Sequence, residues 1–187
     1  MAIDRRLGAS ESVILAAQGN LASTYQLLEM HEDAMRMQRD VYSGRLNING
    51  EEDVDTLREA NNYASSLNGL GCFEEAKSLL RKTVPVARRV LGERHELTLT
   101  MRWTYAQSLH LLSDDDDSTL DDLREAVATF EDSEGIARRV LGGAHPLVAN
   151  LGRSLRLSRA NLGAREGNLN DVNGLCDAVA AMAPGDA

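Results

Sequence analysis

Apolar residues return every three or four positions along most of this chain, and glycine interrupts the pattern at regular intervals. From Glu11 to Leu28 the apolar positions Val13, Ile14, Ala17, Leu21, Ala22, Tyr25 and Leu28 keep helical spacing and predict a first helix. A turn around Met30–His31 leads to a second pattern, Ala34, Met35, Met37 and Val41, which fades near Asn47 and stops at Gly50. A third helix is predicted from about Asp55, with Leu57, Ala60, Tyr63, Ala64 and Leu67 on one face and Gly69 and Gly71 ending it. Phe73, Ala76, Leu79, Leu80, Ala87 and Leu91 carry the next face as far as Gly92. Pro85 lies inside that face, and in a helix interior proline removes a backbone hydrogen bond at a cost of about 3 kcal/mol. A kink or short break is therefore expected there.

The pattern resumes at His95. Leu99, Tyr105, Ala106, Leu109 and Leu112 predict one helix. After an acidic stretch, Leu123, Ala126, Val127, Phe130 and Ala137 predict another, ending at Gly142. Pro146 suits a first helical position, where its missing N–H has no partner to lose. Leu147, Leu151, Leu155 and Leu162 continue from it to Gly163, the expected stop. Leu175, Ala178, Ala181 and Met182 predict a separate final helix before the tail.

These segments repeat. Asn20 and Asn62, Ala22 and Ala64, Glu32 and Glu74, Ala34 and Ala76, Gly50 and Gly92, and Leu57 and Leu99 are each 42 residues apart. The hexapeptide ARRVLG stands at 87–92 and again at 137–142, and His95 and His145 share its spacing of 50. An insertion near Ser113–Leu120 supplies the extra eight residues, since Ala64 and Ala106 are 42 apart but Ala76 and Ala126 are 50 apart. A fixed period of this length is the signature of stacked supersecondary units. The expected organisation is a lead-in at 1–10 and an array at 11–163, with units at about 11–52, 53–94, 95–144 and 145–163 onward. A C-terminal helix or cap at 164–182 and a tail at 183–187 complete it. Ala22, Ala64 and Ala106 on first helices, and Ala34, Ala76 and Ala126 on second helices, let the paired helices approach closely.

Composition narrows the function. The 187 residues are 43% hydrophobic but only 4% aromatic, which suits helix packing by leucine, alanine and valine. The formal charge of −9 disfavours nucleic acid and anionic membranes alike. No apolar run approaches membrane-spanning length, and Cys72 and Cys176 form no disulfide framework or metal motif. The bland expectation is a soluble, cytoplasmic chain. The Asp114–Asp117 run lacks the glycine and distal glutamate of a calcium loop and reads as a solvated insertion. His31, His95, His110 and His145 show no ligand spacing, and His95 and His145 are expected to serve the turns between units. No nucleophile, base and oxyanion hole come together, so no catalytic residue, cofactor or metal is expected.

The motifs Asn20-Leu21-Ala22, Asn62-Tyr63-Ala64, Glu74-Glu75-Ala76 and Arg139-Val140-Leu141-Gly142 with His145-Pro146 resemble tetratricopeptide repeats of the kinesin light-chain type. The resemblance covers roughly residues 12–163. It implies an all-α fold, a right-handed α-solenoid of about three and a half helix-turn-helix units with a C-terminal capping helix. First helices would then line a concave groove for a peptide or partner segment, with Asn20, Ser23, Arg58, Asn62, Ser65, Thr104 and Gln107 along it. Asparagine offers a donor and an acceptor to a peptide backbone in either direction. Arg58 and Asn62, four apart, share a helix face. Trp103 is either a groove anchor or a packing residue against the next unit. The first unit ends Leu46-Asn47-Ile48-Asn49-Gly50 rather than in the closing motif, and Arg156 replaces the small alanine in the fourth. A carboxylate clamp of the kind found in chaperone-binding repeats is disfavoured. The matching positions Ala16, Asn20, Asn62, Thr100 and Thr104 keep both asparagines and lack all three cations.

The expected function is a non-catalytic scaffold or adaptor for a protein or peptide partner. The alternative is a structural subunit or segment of a larger assembly that uses outer faces or solenoid ends, and an oligomer is possible.

Overall fold

The computed structural model describes residues 10–112 and 120–182, with side chains described as far as Asn168. The lead-in, the acidic insertion and the tail lie outside these residues. The described residues form seven helices and no strand: α1 (Glu11–Leu27), α2 (His31–Asn49), α3 (Val54–Gly69), α4 (Phe73–Leu91), α5 (Glu96–Leu112), α6 (Leu120–Leu141) and α7 (Pro146–Met182). Each helix packs on its neighbours in sequence, so α1/α2, α3/α4 and α5/α6 are three hairpins and α7 opens a fourth unit.

Helix starts are fixed by local chemistry. Asp53 Oδ1 accepts from the backbone N–H groups of Asp55 and Thr56 at 3.0 Å each, capping α3. A hydrogen bond from Asn49 first, then those two N–H groups, hold the Asp53 carboxyl below the usual carboxylate range. His95 and His145 do equivalent work at the next two junctions. The Nδ1 of each accepts from the backbone N–H two residues on, at 3.1 Å in α5 and 3.2 Å in α7. The glycine that closes each second helix sits in the left-handed region, with φ of 82°, 89° and 85° at Gly50, Gly92 and Gly142. That conformation is sterically costly for any residue with a Cβ. Within units the same requirement falls on Gly71 (φ 77°) and, 42 residues earlier, on Glu29 (φ 60°).

All six small positions, Ala22, Ala34, Ala64, Ala76, Ala106 and Ala126, are fully buried. The main core runs through units two to four, from Leu57 and Leu67 through Leu80, Leu99, Met101, Leu109 and Phe130 to Leu151. Unit one is more polar inside. Buried Gln38 stands where the later units have Leu80 and Phe130, and buried Arg45 where they have Ala87 and Ala137. The Arg45 guanidinium reaches Ser12 on α1, donating to its Oγ at 2.7 Å and to its carbonyl at 3.2 Å.

Three expectations need correction. Of the kink or short break expected at Pro85, the break is absent: α4 is continuous from Phe73 to Leu91. Both Pro85 and Arg81, whose carbonyl loses the Pro85 N–H as a partner, are exposed, and a freed carbonyl is far less costly where water reaches it than in a core. Gly163 does not stop α7, and the predicted final helix is a continuation of one 37-residue helix. A glycine in a helix costs only about 1 kcal/mol relative to alanine when its φ stays helical. Finally, the apolar face read on α1 is largely exposed. Ile14 and Ala22 are buried, but Val13, Ala17, Leu21 and Leu28 are not, and Leu15, omitted from that face, is buried.

Candidate functional site: the inner face of the first helices

First helices of successive units touch one another, α1 with α3, α3 with α5 and α5 with α7, whereas second helices make no comparable contact with each other. A stack whose first helices lie closer than its second helices must curve toward the first. Their outward faces therefore form the inner, concave side of the array.

Among the described residues, polar side chains bridge each pair of neighbouring first helices. Between α1 and α3, Gln26 Nε2 donates to Ser65 Oγ at 3.4 Å, and Ser66 Oγ donates to Gln26 Oε1 at 3.5 Å. Between α3 and α5, Thr104 Oγ1 donates to Asn61 Oδ1 at 2.9 Å. Between α5 and α7, Trp103 Nε1 donates to Ser154 Oγ at 3.2 Å. Ser65, Trp103 and Thr104, all expected to line the groove, thus have their polar groups engaged in holding units together. Thr104 is 3% exposed and presents nothing to an open surface. Trp103 is half-buried, and its indole N–H is bonded to the next unit.

The remaining expected residues stay accessible. Asn20 is exposed, and its side chain makes no hydrogen bond among the described residues. Ser23 is exposed and donates to the Gly19 carbonyl at 3.0 Å. Gln107 is half-buried on α5. Arg58 is exposed and ion-paired with Asp55 one turn earlier on α3. Asn62, half-buried, donates to Glu59 Oε2 at 3.1 Å, leaving its amide oxygen free to accept.

Glu59 was not read from the sequence as a site residue, yet it is the buried ionisable group of this face. It is 9% exposed, and burial raises its pKa against the opposing pull of the Asn62 hydrogen bond and of Arg45 and Arg58. Space for it comes from Gly19 on α1, where an added Cβ would stand 3.2 Å from the Glu59 carboxylate. The signal available in the sequence was this pairing of a glycine with a glutamate 40 positions on. Recognising it required knowing which faces of α1 and α3 meet. The chemistry of the face is that of recognition: amide, hydroxyl and one guanidinium donor over a partly buried carboxylate. Among the described residues no group of three or more His, Cys, Asp or Glu is placed to hold a metal ion. No described helix is long and apolar enough to cross a membrane.

Models of the tetratricopeptide repeat match residues 14–55 and 55–119, which together span more than half of the chain. Among solved structures, BtubC (BKLC) from P. vanneervenii is similar over 96% of this chain and 69% of its own, with a TM-score of 0.64 and 15% identity. Two structures of a putative kinesin light chain with nearly identical TPR-like repeats from Podosopora anserina, one of them a point variant, each share 18% identity and a TM-score of 0.48. They cover 87% and 91% of this chain and 93% and 97% of theirs. No curated protein matches the chain.

Proposed function

Starting from a chain that belongs to the tetratricopeptide repeat family, whose repeats generally mediate protein–protein interaction, we propose that this protein is a non-catalytic scaffold that holds an extended peptide or partner segment along its inner face. The observation that carries this reading is the run of accessible amide and hydroxyl groups on adjacent first helices: Asn20 and Ser23 on α1, Asn62 on α3 and Gln107 on α5. They lie beside polar bridges that keep those helices in fixed relation. Asn62 fits a backbone-reading role because Glu59 occupies one side of its amide and leaves the acceptor side open. Arg58 favours an acidic residue in the ligand, which would compete with Asp55 for the guanidinium. Ion pairs as exposed as this one contribute little, so the exchange costs little.

The test is a selection of random peptides displayed against the full chain, followed by affinity measurement on the enriched sequences. Replacing Asn62 and Arg58 together by alanine removes one hydrogen-bonding group and one charge. It should weaken the enriched peptides about tenfold or more, given roughly 1–1.5 kcal/mol per lost polar contact. Enriched peptides that bind the double variant with unchanged affinity would place the binding surface elsewhere.

A further inference from the structure

Second helices stand apart from one another, so each neighbouring pair leaves a groove on the outer side of the array, floored by the first helix between them. The grooves between α2 and α4 and between α4 and α6 share one plan. Tyr63 and Tyr105 hold equivalent places on the two floors, with Glu75 and Glu125 equivalent beside them. The Tyr105 hydroxyl donates to Glu125 Oε1 at 2.8 Å.

Four differences separate the second groove from the first. Val84 stands for Tyr42, Arg88 for Leu46 and Arg102 for Ala60, each 42 residues on, and Thr129 stands for Leu79, 50 residues on. Their joint effect is space and positive charge. The Tyr42 ring closes the first groove by stacking on Tyr63, centroids 6.2 Å apart, and a cavity of ≈ 140 Å³ remains. In the second groove valine stops short of that ring's place, and the cavity is ≈ 240 Å³. Arg81, Arg88 and Arg102 line it against the one carboxylate of Glu125, in a chain of formal charge −9. Leu80, Val84 and Pro85 give it an apolar wall.

The first groove also shows where a ring in this position sends its hydroxyl. Tyr42 and Glu51 line that groove together. Burial first, and then the charge of Glu51, raise the Tyr42 phenol pKa. The counterpart of Glu51, 42 residues on, is Glu93. Glu93 pairs with the two arginines that the first groove lacks, Arg88 and Arg102. Arg102 is 8% exposed, and its other partner is Asp132. By equivalence, two guanidiniums sharing one glutamate stand where the Tyr42 hydroxyl points one unit earlier.

We propose that the groove between α4 and α6 is a second binding site, for a phosphotyrosine side chain of a partner protein. Its ring takes the place that Tyr42 fills in the first groove, against Leu80, Val84 and Pro85. Its phosphate displaces Glu93 from Arg88 and Arg102. A phosphomonoester carries about −1.5 to −2 charges and three acceptor oxygens, and guanidinium forks match it bidentately. The carboxylates that give way, Glu93 and Asp132, are exposed at the rim and return to water. The site shares no residue with the inner face, so it stands or falls independently of peptide binding there.

Titration of the full chain with N-acetyl-phosphotyrosine amide, followed by heteronuclear NMR, tests the proposal. Shifts are expected around Val84, Arg88 and Arg102. The probe should bind about tenfold or more tightly than N-acetyl-tyrosine amide, N-acetyl-phosphoserine amide or inorganic phosphate, each of which lacks the charge-assisted bonds or the ring. Arg88→Leu and Val84→Tyr install the residues of the first groove, and each should weaken binding by about tenfold. The Arg88 side chain is 52% exposed, so its variant keeps the fold and reports even where tyrosine at 84 overpacks. Absence of shifts, or shifts confined to the inner face around Asn62, overturns the proposal. So does an affinity that survives Arg88→Leu, or phosphoserine amide or inorganic phosphate binding as tightly as the probe. Phenyl phosphate binding more tightly than the amide also overturns it, by assigning the cleft to a free aryl phosphate.

Discussion

Gln38 is fully buried, and neither atom of its amide finds a partner among the described residues. The equivalent positions in the next two units are Leu80 and Phe130, both fully buried. A buried amide without a partner costs about 1–3 kcal/mol, and leucine is close to it in volume. Gln38→Leu is therefore expected to stabilise the chain by about that amount, raising the thermal midpoint by several degrees at roughly 2–4 °C per kcal/mol. A lowered midpoint would mean that the amide is satisfied in solution. Glu59 poses the other residue-scale question. Burial raises its pKa in the folded state, so the charged form is the unfavourable one there. The linked stability is present in full below the unfolded pKa and is lost as pH rises through the folded value. Glu59→Gln keeps an acceptor for Asn62 and should raise the midpoint at pH 7. Its advantage should shrink as pH falls through the carboxylate range and vanish below it. Parallel melts of the two proteins across that range check the sign.

At the scale of the helix, a local breaker does not by itself end an element. Pro85 and Gly163 are helix breakers by local rule, yet α4 and α7 run through them, each on an exposed face of its helix. The small positions obeyed the simpler logic. Ala76 is fully buried between helices with its counterparts in units one and three, so its Cβ defines the approach distance within the hairpin. Ala76→Leu inserts three carbons where there is no space and should cost about 1–3 kcal/mol, read as a lower urea midpoint with an unchanged slope. An unchanged midpoint would show that the hairpin can open at no cost. Capping by His95 and His145 was legible as a recurrence of histidine at unit boundaries, and the ring-to-backbone hydrogen bonds give that recurrence its physical reason.

Across the whole molecule, the fold could be read from one kind of information and the site from another. The residue spacing of 42 and 50, the closing glycines and the small positions lie in local sequence, because each reflects the backbone and packing needs of a single hairpin repeated. The inner face was legible only as a set of positions. Among them Asn20, Ser23, Arg58, Asn62 and Gln107 stay accessible. Ser65, Trp103 and Thr104 instead spend their polar groups on bridges to Gln26, Ser154 and Asn61. Nothing within one repeat says which of two equivalent polar residues will find a partner 39, 51 or 43 positions away. The exposed apolar face of α1 illustrates the same limit, since the periodicity that buries Met101 and Tyr105 in unit three is present in unit one without a helix to cover it among the described residues.

The sequence by itself therefore determined an all-α array, its period and its turns, since backbone geometry and helical spacing act over a few residues and repeat with the chain. Only the tertiary structure decided which side chains are bridges, which carboxylate is buried and which apolar face is open. Those outcomes depend on what the neighbouring unit brings into contact, which no single repeat encodes.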